Sequence, residues 1–298
     1  MSPTEQPTEQ FTQHRSLLFT VAYEMLGSAA DAEDVLQEAW LRWAGPDSGV
    51  DHDAVRDPRA YLVRVVTRLA LNRVRTLSRR RETYVGPWLP EPLLTAPDVA
   101  DDVALADSLS TAMLLVLETL HPTERAVFLL RDVFDLPYTE IAAAVDKSEA
   151  AVRQVASRAR AHVAERRPRT RVDAAEQRVA VDRFVAAAQG GDLQGLLDLL
   201  APDVVLRSDG GGLRQAALRP IHGVEKVLRF LVGVTSGAGA ASYDVGLVNG
   251  HPALLVHLDG ALDTVGTVRV DDGLVTELYL VRNPEKLGRL DEAVRVSR

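Results

Sequence analysis

The sequence has no cysteine in its 298 residues. That excludes disulfides, thiolate metal sites and cysteine nucleophiles, and it fits a reducing interior. Also missing is any apolar run approaching the roughly 20 residues of a membrane span. The first ten residues, MSPTEQPTEQ, are polar and acidic where a secretory leader would be basic and then apolar. The expectation is a cytoplasmic chain with no membrane partner. Metal-binding spacing is absent as well: His222, His251 and His257 are scattered, with neither i, i+4 nor short-loop pairing. Gly210-Gly211-Gly212 lacks the Lys-Ser/Thr that completes a phosphate-cradling loop. No cofactor and no metal is therefore expected, and no internal repeat is apparent.

What is present is segregated charge. The net charge of -8 taken alone disfavours a polyanionic partner. However, residues 59 to 81 contain eight arginines and no acid. Just upstream, Asp31, Glu33, Asp34 and Glu38 cluster with no Lys or Arg among them. Screening over about 8 Å at cellular salt lets such patches act independently. Two partners are implied, one a polyanion and one a basic or polar protein surface.

The length suits two or three domains, and four segments stand out. Residues 11 to 81 are helical in pattern, 82 to 107 form a proline-containing acidic linker, 108 to 167 are helical again, and 178 to 290 change to α+β. In the first segment, helices are expected over Phe11 to Leu26 and Asp31 to Trp43, broken at Gly27-Ser28. Asp57-Pro58 supplies an N-cap and a first-turn proline for a long helix from about Arg59 to Arg80. Leu62, Val65, Val66 and Leu69 make its apolar stripe. Arg64, Arg68, Asn72, Arg75 and Arg79 form a second stripe about 110° around the axis at 3.6 residues per turn. Its alternatives are a solvated basic face and a nucleic-acid surface, and the lack of intervening acid favours the second.

Residues 136 to 163, LPYTEIAAAVDKSEAAVRQVASRARAHV, read as a helix, a tight turn and a second helix. Ile141, Ala142 and Val145 recur at helical spacing in the first. Asp146-Lys147-Ser148 breaks it, since Asp tolerates the left-handed region and Ser148 is a good N-cap. In the second helix, Val152, Ala156, Ala159 and Val163 share a buried side, while Glu149, Arg153, Gln154, Ser157 and Arg158 point away. In a helix-turn-helix such residues meet base edges in the major groove, and Arg and Gln make paired bonds to guanine and adenine. An amphipathic hairpin with a solvated basic face is the plainer alternative.

The last segment opens with helical patterns over Val179 to Ala188 and Leu193 to Leu200. Strand-like runs follow at Val204 to Arg207, Ala216 to Leu218, Ser242 to Val248, Ala253 to Leu258, Thr264 to Val270 and Leu274 to Val281. A helix fits His222 to Leu231. Asn249-Gly250, Asp259-Gly260 and Asp272-Gly273 are hairpin signals. Helices packed on one side of a curled antiparallel meander would enclose a conical core with a pocket at its mouth.

With these segments placed, the chain resembles bacterial extracytoplasmic-function (ECF) RNA polymerase sigma factors of the branch with a SnoaL-like C-terminal extension. The resemblance covers nearly the whole length. It rests on DAEDVLQEAWLRW at 31 to 43, DPRAYLVRVVTRLALNRVRTLSRRR at 57 to 81, the helix-turn-helix, WLPEPL at 88 to 93, SDGGG at 208 to 212 and NPEKL at 283 to 287. The fold it implies is two all-α sigma domains, the second with a helix-turn-helix, followed by an α+β SnoaL-like cone. Domains are expected at 11–81, 108–167 and 178–290, with a flexible linker at 82–107.

The resemblance also implies roles. Asp31, Glu33, Asp34, Gln37, Glu38 and Trp40 would dock on core RNA polymerase. Arg64, Arg68, Asn72, Arg75 and Arg79 would engage the minus-ten element of promoter DNA. The loop from Ala44 to Arg56, with His52 and Asp53, would capture an extruded base. Arg153, Gln154, Ser157 and Arg158 would read the minus-thirty-five element. Trp88, Leu89, Pro90, Glu91 and Pro92 of the linker, Asp209, Gly210, Gly211 and Gly212, and Asn283, Pro284, Glu285, Lys286 and Leu287 would form a regulatory contact between domains. Two departures are Asp146, where Gly is frequent, and Glu285, where Asp is common.

The alternative is a DNA-tethered enzyme with an isomerase- or cyclase-like C-terminal domain. Such a site needs a carboxylate base and an oxyanion donor facing each other in a dry pocket. Asp209 is the candidate base. The donor is harder to supply, because Phe184 stands where a Tyr would serve and Tyr243 and Tyr279 lie on late strands. The expectation is no catalysis, with a small-molecule ligand of the cone domain left open.

Overall fold

The computed structural model describes residues 5–46, 48–96, 99, 102–166, 174–235, 241–290 and 293–298. The chain divides into two units, one formed by residues 1–80, 113–167 and 295–298, the other by 81–112 and 168–294.

The first unit is helical. Gly27 ends α1 (Glu5–Leu26) in the left-handed region at φ 67°, and its N–H donates to Tyr23 O at 2.7 Å. A glycine at this position adopts that conformation at no steric cost. Ser28 then caps α2 (Ala29–Ala44) by accepting the Asp31 N–H. One face of α2 buries Ala32, Val35, Leu36, Ala39 and Trp43. Asp57 Oδ1 accepts the Ala60 N–H and Pro58 opens α3 (Pro58–Glu82), the start that the dipeptide leads one to expect. α3 buries Leu62, Val66 and Leu69, while Val65 of the same stripe is half-buried. In chain order α4 (Val103–Leu109) belongs to the other unit, and α5 (Thr111–Glu118) leads into α6 (Pro122–Phe128). A wide π turn at Leu129–Val133 precedes α7 (Tyr138–Val145) and α8 (Glu149–Arg166).

The second unit is α+β. Helices α9 (Ala174–Gly190), α10 (Leu193–Leu199) and α11 (Val224–Thr235) accompany a six-stranded sheet. Its strands are β1 (Leu200–Asp209), β2 (Ile221–His222), β3 (Ala241–Val248), β4 (His251–Leu258), β5 (Ala261–Asp271) and β6 (Leu274–Val281), in spatial order β2-β1-β6-β5-β4-β3. The short helix α12 (Pro284–Leu287) follows β6. Irregularities at Val256/His257 and Arg269/Val270 break the ladder registers, and bulges of this kind bend strands and raise local twist. Phe184, Leu196, Leu206, Val227, Leu254 and Leu278 belong to the apolar core between helices and sheet.

All three expected hairpin turns form. Asn249 and Gly250, Asp259 and Gly260, and Asp272 and Gly273 have φ between 50° and 81°, the pair of positive angles that a two-residue type I′ turn requires.

Three expectations need correction. Ala216 to Leu218 is not a strand; it lies in the loop before β2, with Leu218 69% exposed. Three apolar residues are too few to fix a strand by period. The sheet is not a pure antiparallel meander either. β3 to β6 form one, but β1 pairs parallel with β6, setting Leu206 opposite Leu278 and Asp209 opposite Val281. Finally, the linker is not a free tether. Leu89 is fully buried and Pro90, Glu91, Pro92 and Leu93 are buried too. Leu94 bridges to Val248, and the Thr95 N–H donates to Leu247 O at 2.9 Å. Stiff, apolar WLPEPL has little conformational entropy to lose on docking, so it folds against the sheet.

Candidate functional site

The helix-turn-helix is built locally. Asp146 sits in the left-handed region at φ 55° and ψ 54°, and the Lys147 N–H returns to Ala142 O at 3.1 Å. Ser148 Oγ accepts the Ala151 N–H at 3.3 Å. The change of direction buries Val152, Val155, Ala156, Ala159 and Val163 of α8 and leaves Arg153, Gln154, Ser157 and Arg158 exposed on one face. Arg153 pairs with Glu149 at 2.9 Å, with its guanidinium carbon 4.9 Å from the Tyr138 ring centre. Arg158 reaches Glu124 at 3.6 Å. Such exposed pairs contribute little stability.

Along α3, Asn72 and Arg75 are exposed. Arg64 lies half-buried over the Tyr61 ring, 5.0 Å from its centre. Arg68 is already engaged: Nη2 donates to Ala143 O at 2.9 Å and Nε to Ala144 O at 3.4 Å. Those carbonyls end α7, where the helix dipole favours a cation. The side chain of Arg79 lies outside the described residues. Arg73, which the stripe passes over, reaches back to α2, binding Asp31 at 2.8 Å and Asp34 at 2.7 Å.

The acidic helix is thus less bare than its local sequence. Glu33 pairs with Arg15 and Glu38 with Arg42, each at 2.6 Å. Asp34, Gln37 and Glu38 remain exposed and Trp40 half-exposed. In the last turn of α2 Trp43 is fully buried, with Nε1 donating to Pro7 O at 2.8 Å. His52 packs edge-on against Trp43 at 4.5 Å and bonds its carbonyl at 2.8 Å. Asp53 is exposed.

The second unit brings WLPEPL, SDGGG and NPEKL to one point, Asp209, whose side chain is 0% exposed. Its Oδ1 accepts from Tyr84 Oη at 2.6 Å and from the Gly211 N–H at 3.0 Å. Oδ2 accepts from the Leu89 N–H at 2.9 Å and from Lys286 Nζ at 2.7 Å. Lys286 also donates to Leu89 O at 2.5 Å and lies 4.4 Å from the centre of the Trp88 ring, whose centre is 3.7 Å from Arg81 Cζ. Asn283 caps α12 through the Glu285 N–H and donates to Tyr84 Oη at 2.9 Å. Leu287 is buried. Burial pulls the Lys286 ammonium below the ordinary lysine range, against the opposing pull of Asp209. Burial, then the Asp209 carboxylate, push the Tyr84 phenol well above its usual range. The Tyr84 phenol therefore keeps its proton at neutral pH.

Glycine is required in this node. At Gly211, with φ +60°, an added Cβ would stand 2.3 Å from Asn283 Nδ2; at Gly210 it would stand 2.2 Å from Arg214 O. The run is a close-approach turn rather than an anion cradle.

Above the node the linker continues along the sheet edge. Leu93 N–H donates to Asn249 Oδ1 at 2.7 Å, and Asn249 Nδ2 donates to Leu109 O at 2.8 Å. His251 Nε2 bonds Ala106 O at 2.8 Å, and Nδ1 faces the Gln177 amide at 2.9 Å. Burial lowers the His251 pKa, with the Ala106 carbonyl and Asp107 opposing. A depressed folded-state value means the unfolded chain binds more protons just below the ordinary value, about 6.5, so stability is lost as pH falls through that window. Urea unfolding at pH 7.5 and 5.5 is expected to show a larger loss for the native chain than for His251→Gln; equal losses would rule out this residue as the cause.

A separate cavity of about 350 Å³ lies between the helices and the sheet, lined by Phe184, Leu196, Tyr243, Leu254, Asp263 and Arg282 among others. Asp209 does not line it, and neither does Tyr279, which donates to Glu277 Oε2 at 2.8 Å. Asp209 and Tyr243 therefore do not face each other in one pocket. The carboxylate that does line the cavity is Asp263, paired with Arg282, and sequence reasoning missed both because neither carries a local motif. Among the described residues there is no His/Asp/Glu cluster suited to a metal and no helix long and apolar enough to cross a membrane.

Residues 10–80 match the Sigma-70 region 2 family and residues 110–163 match Sigma-70, region 4. The chain is 40% identical over 292 residues to the ECF RNA polymerase sigma factor SigJ of Mycobacterium tuberculosis, covering 93% of this chain and 92% of the relative. To the probable ECF RNA polymerase sigma factor SigI of the same species it is 32% identical over 294 residues, covering 97% and 98%. The crystal structure of the M. tuberculosis extracytoplasmic function sigma factor SigJ aligns with a TM-score of 0.75 at 37% identity, over 95% of this chain and 99% of that one. Similarity of this extent, running through both sigma regions and the α+β domain, establishes that the chain belongs to the ECF family of RNA polymerase sigma factors.

Proposed function

We propose that this sigma factor holds core RNA polymerase through the exposed side of α2, chiefly Asp34, Gln37, Glu38 and Trp40. It reads a split promoter through Arg64, Asn72 and Arg75 of α3 and through Arg153, Gln154, Ser157 and Arg158 of α8. The α+β domain regulates rather than catalyses. The observation carrying the DNA assignment is the row of four exposed polar residues on α8 behind the left-handed Asp146 turn. Arg68, spent on the α7 carbonyls, would be freed when α7 moves away, which supports an unbound form that must open before α3 meets DNA. The regulatory assignment is supported by Asp209, which fastens the linker to SDGGG and NPEKL as a latch and does not line the cavity.

Adding the purified chain to core polymerase and a promoter library should yield specific new transcripts. Gln154→Ala is expected to relax preference at one base position by about 1–3 kcal/mol. Arg75→Ala should weaken binding evenly across sequences and lower the salt slope by about one. If the library yields nothing above core polymerase alone, or if both variants shift specificity alike, the assignment is wrong.

A further inference from the structure

The cavity of the second unit has one polar corner in a hydrocarbon wall. Asp263 and Arg282 both line it, and their side chains are each only 9% exposed. Three donors converge on a single oxygen: Arg282 Nε at 3.0 Å, Arg282 Nη2 at 2.8 Å and Thr264 Oγ1 at 2.7 Å all reach Asp263 Oδ2. Oδ1 takes no hydrogen bond from a described residue. Arg282 is meanwhile tied outward. Its Nη1 donates to Gln215 O at 2.7 Å, in the loop after SDGGG, and its backbone N–H donates to Asp209 O at 2.7 Å. The next residue is Asn283, which holds Tyr84.

We infer that this cavity binds a small, uncharged, mainly hydrocarbon or aromatic molecule bearing a hydroxyl that donates to Asp263 Oδ1, and that its occupancy holds the Asp209 latch closed through Arg282. The inference rests on the regulatory reading above. The volume, about 350 Å³, is in the range of small-molecule sites, whose walls are mostly apolar with a few placed polar groups. Charge selects the ligand class. The pair is neutral in sum, so an anion would bring uncompensated charge into a low-dielectric site and compete with Asp263 for Arg282, while a cation would strand Arg282. A neutral hydroxyl satisfies Oδ1 and leaves the pair intact. The coupling follows from the shared residue: a ligand that favours the Asp263–Arg282 arrangement disfavours every opening of the latch that displaces Arg282.

The test uses the full chain and three probes, 2-naphthol, naphthalene and 2-naphthoate, in fluorescence titrations. 2-Naphthol should bind roughly tenfold or more tightly than naphthalene, the value of a hydrogen bond to a charged acceptor, and 2-naphthoate most weakly. Leu254→Trp, or Val256→Phe if the first does not fold, should abolish binding by filling the cavity. Saturating 2-naphthol should slow hydrogen exchange at the Leu89 and Gly211 amides and leave the Val152 amide unchanged. Arg282→Lys keeps a cation for Asp263 but cannot also span Gln215, so it should bind the probe and lose the slowing. No binding, equal affinity for 2-naphthol and naphthalene, or unchanged exchange at Leu89 in the native chain would each overturn the inference. Transcription is measured without probe, so its failure beside a positive titration would remove the regulatory reading and leave the binding site standing.

Discussion

Asp209→Ala is expected to unfasten the linker from the α+β domain. The native carboxylate is wholly buried and takes four donors, from Tyr84, Leu89, Gly211 and Lys286. Removing it strands Lys286, whose side chain is 11% exposed, and breaking one partner of a buried ion pair costs about 3–5 kcal/mol. Hydrogen exchange at the Leu89 amide should therefore accelerate by about 100-fold or more. Transcription in vitro should change with it, since the linker joins the segments that carry the two sigma regions. Asp209→Ala with Lys286→Met should recover part of the loss, because it leaves no unpaired charge buried. If the single variant exchanges at the native rate, Asp209 is not what fastens the linker. Point variants suit this question better than deletion of residues 178 to 298, which would also strip the surface on which the linker folds.

Arg125→Ala is expected to damage the first unit to a similar degree. Arg125 lies on α6 with its side chain only 4% exposed. Nε donates to Glu24 O at 2.9 Å, at the end of α1, and Nη1 donates to Glu118. Desolvation pushes the guanidinium down to about 9, against the pull of Glu24, so the charge is held at neutral pH at a cost. Truncation removes the carbonyl contact, opens a cavity and leaves Glu118 without this cation, a loss of about 3–5 kcal/mol. Lysine supplies one ammonium where the planar fork bridges two acceptors, so Arg125→Lys should recover only part. Thermal unfolding and exchange of the α1 and α6 amides measure both variants. Native stability in Arg125→Ala would mean that packing alone joins α6 to α1.

What could be read from the sequence was local. The helix-turn-helix was legible because its apolar period, the Asp146 break and the Ser148 cap lie within a few residues and agree. The three Asx-Gly hairpins and the Asp57-Pro58 helix start were legible for the same reason. Pairings between distant segments were not. Nothing near β1 says that it runs parallel to β6, and nothing near Arg73 says that it, rather than Arg68, turns back to the acids of α2. Asp209 was marked by its neighbours, but its partners Tyr84 and Lys286 stand 125 and 77 residues away. The Asp263–Arg282 pair has no motif of its own: an acid on β5 and an arginine just after β6 come together through the pairing that sets Val265 opposite Val281.

The hairpin at Asn249-Gly250 differs from its two siblings in a way that backbone angles do not record. At Asp259 and Asp272 the turn residue is exposed, and either an amide or a carboxylate would serve. At Asn249, 2% exposed, the side chain accepts from Leu93 with its oxygen and donates to Leu109 with its nitrogen. A carboxylate can do only the first and would turn a negative oxygen toward the Leu109 carbonyl. Deamidation at this single dipeptide would convert a clasp into a repulsion, so the chemical ageing of one asparagine would be felt thirteen dozen residues earlier in the chain, where the linker lies.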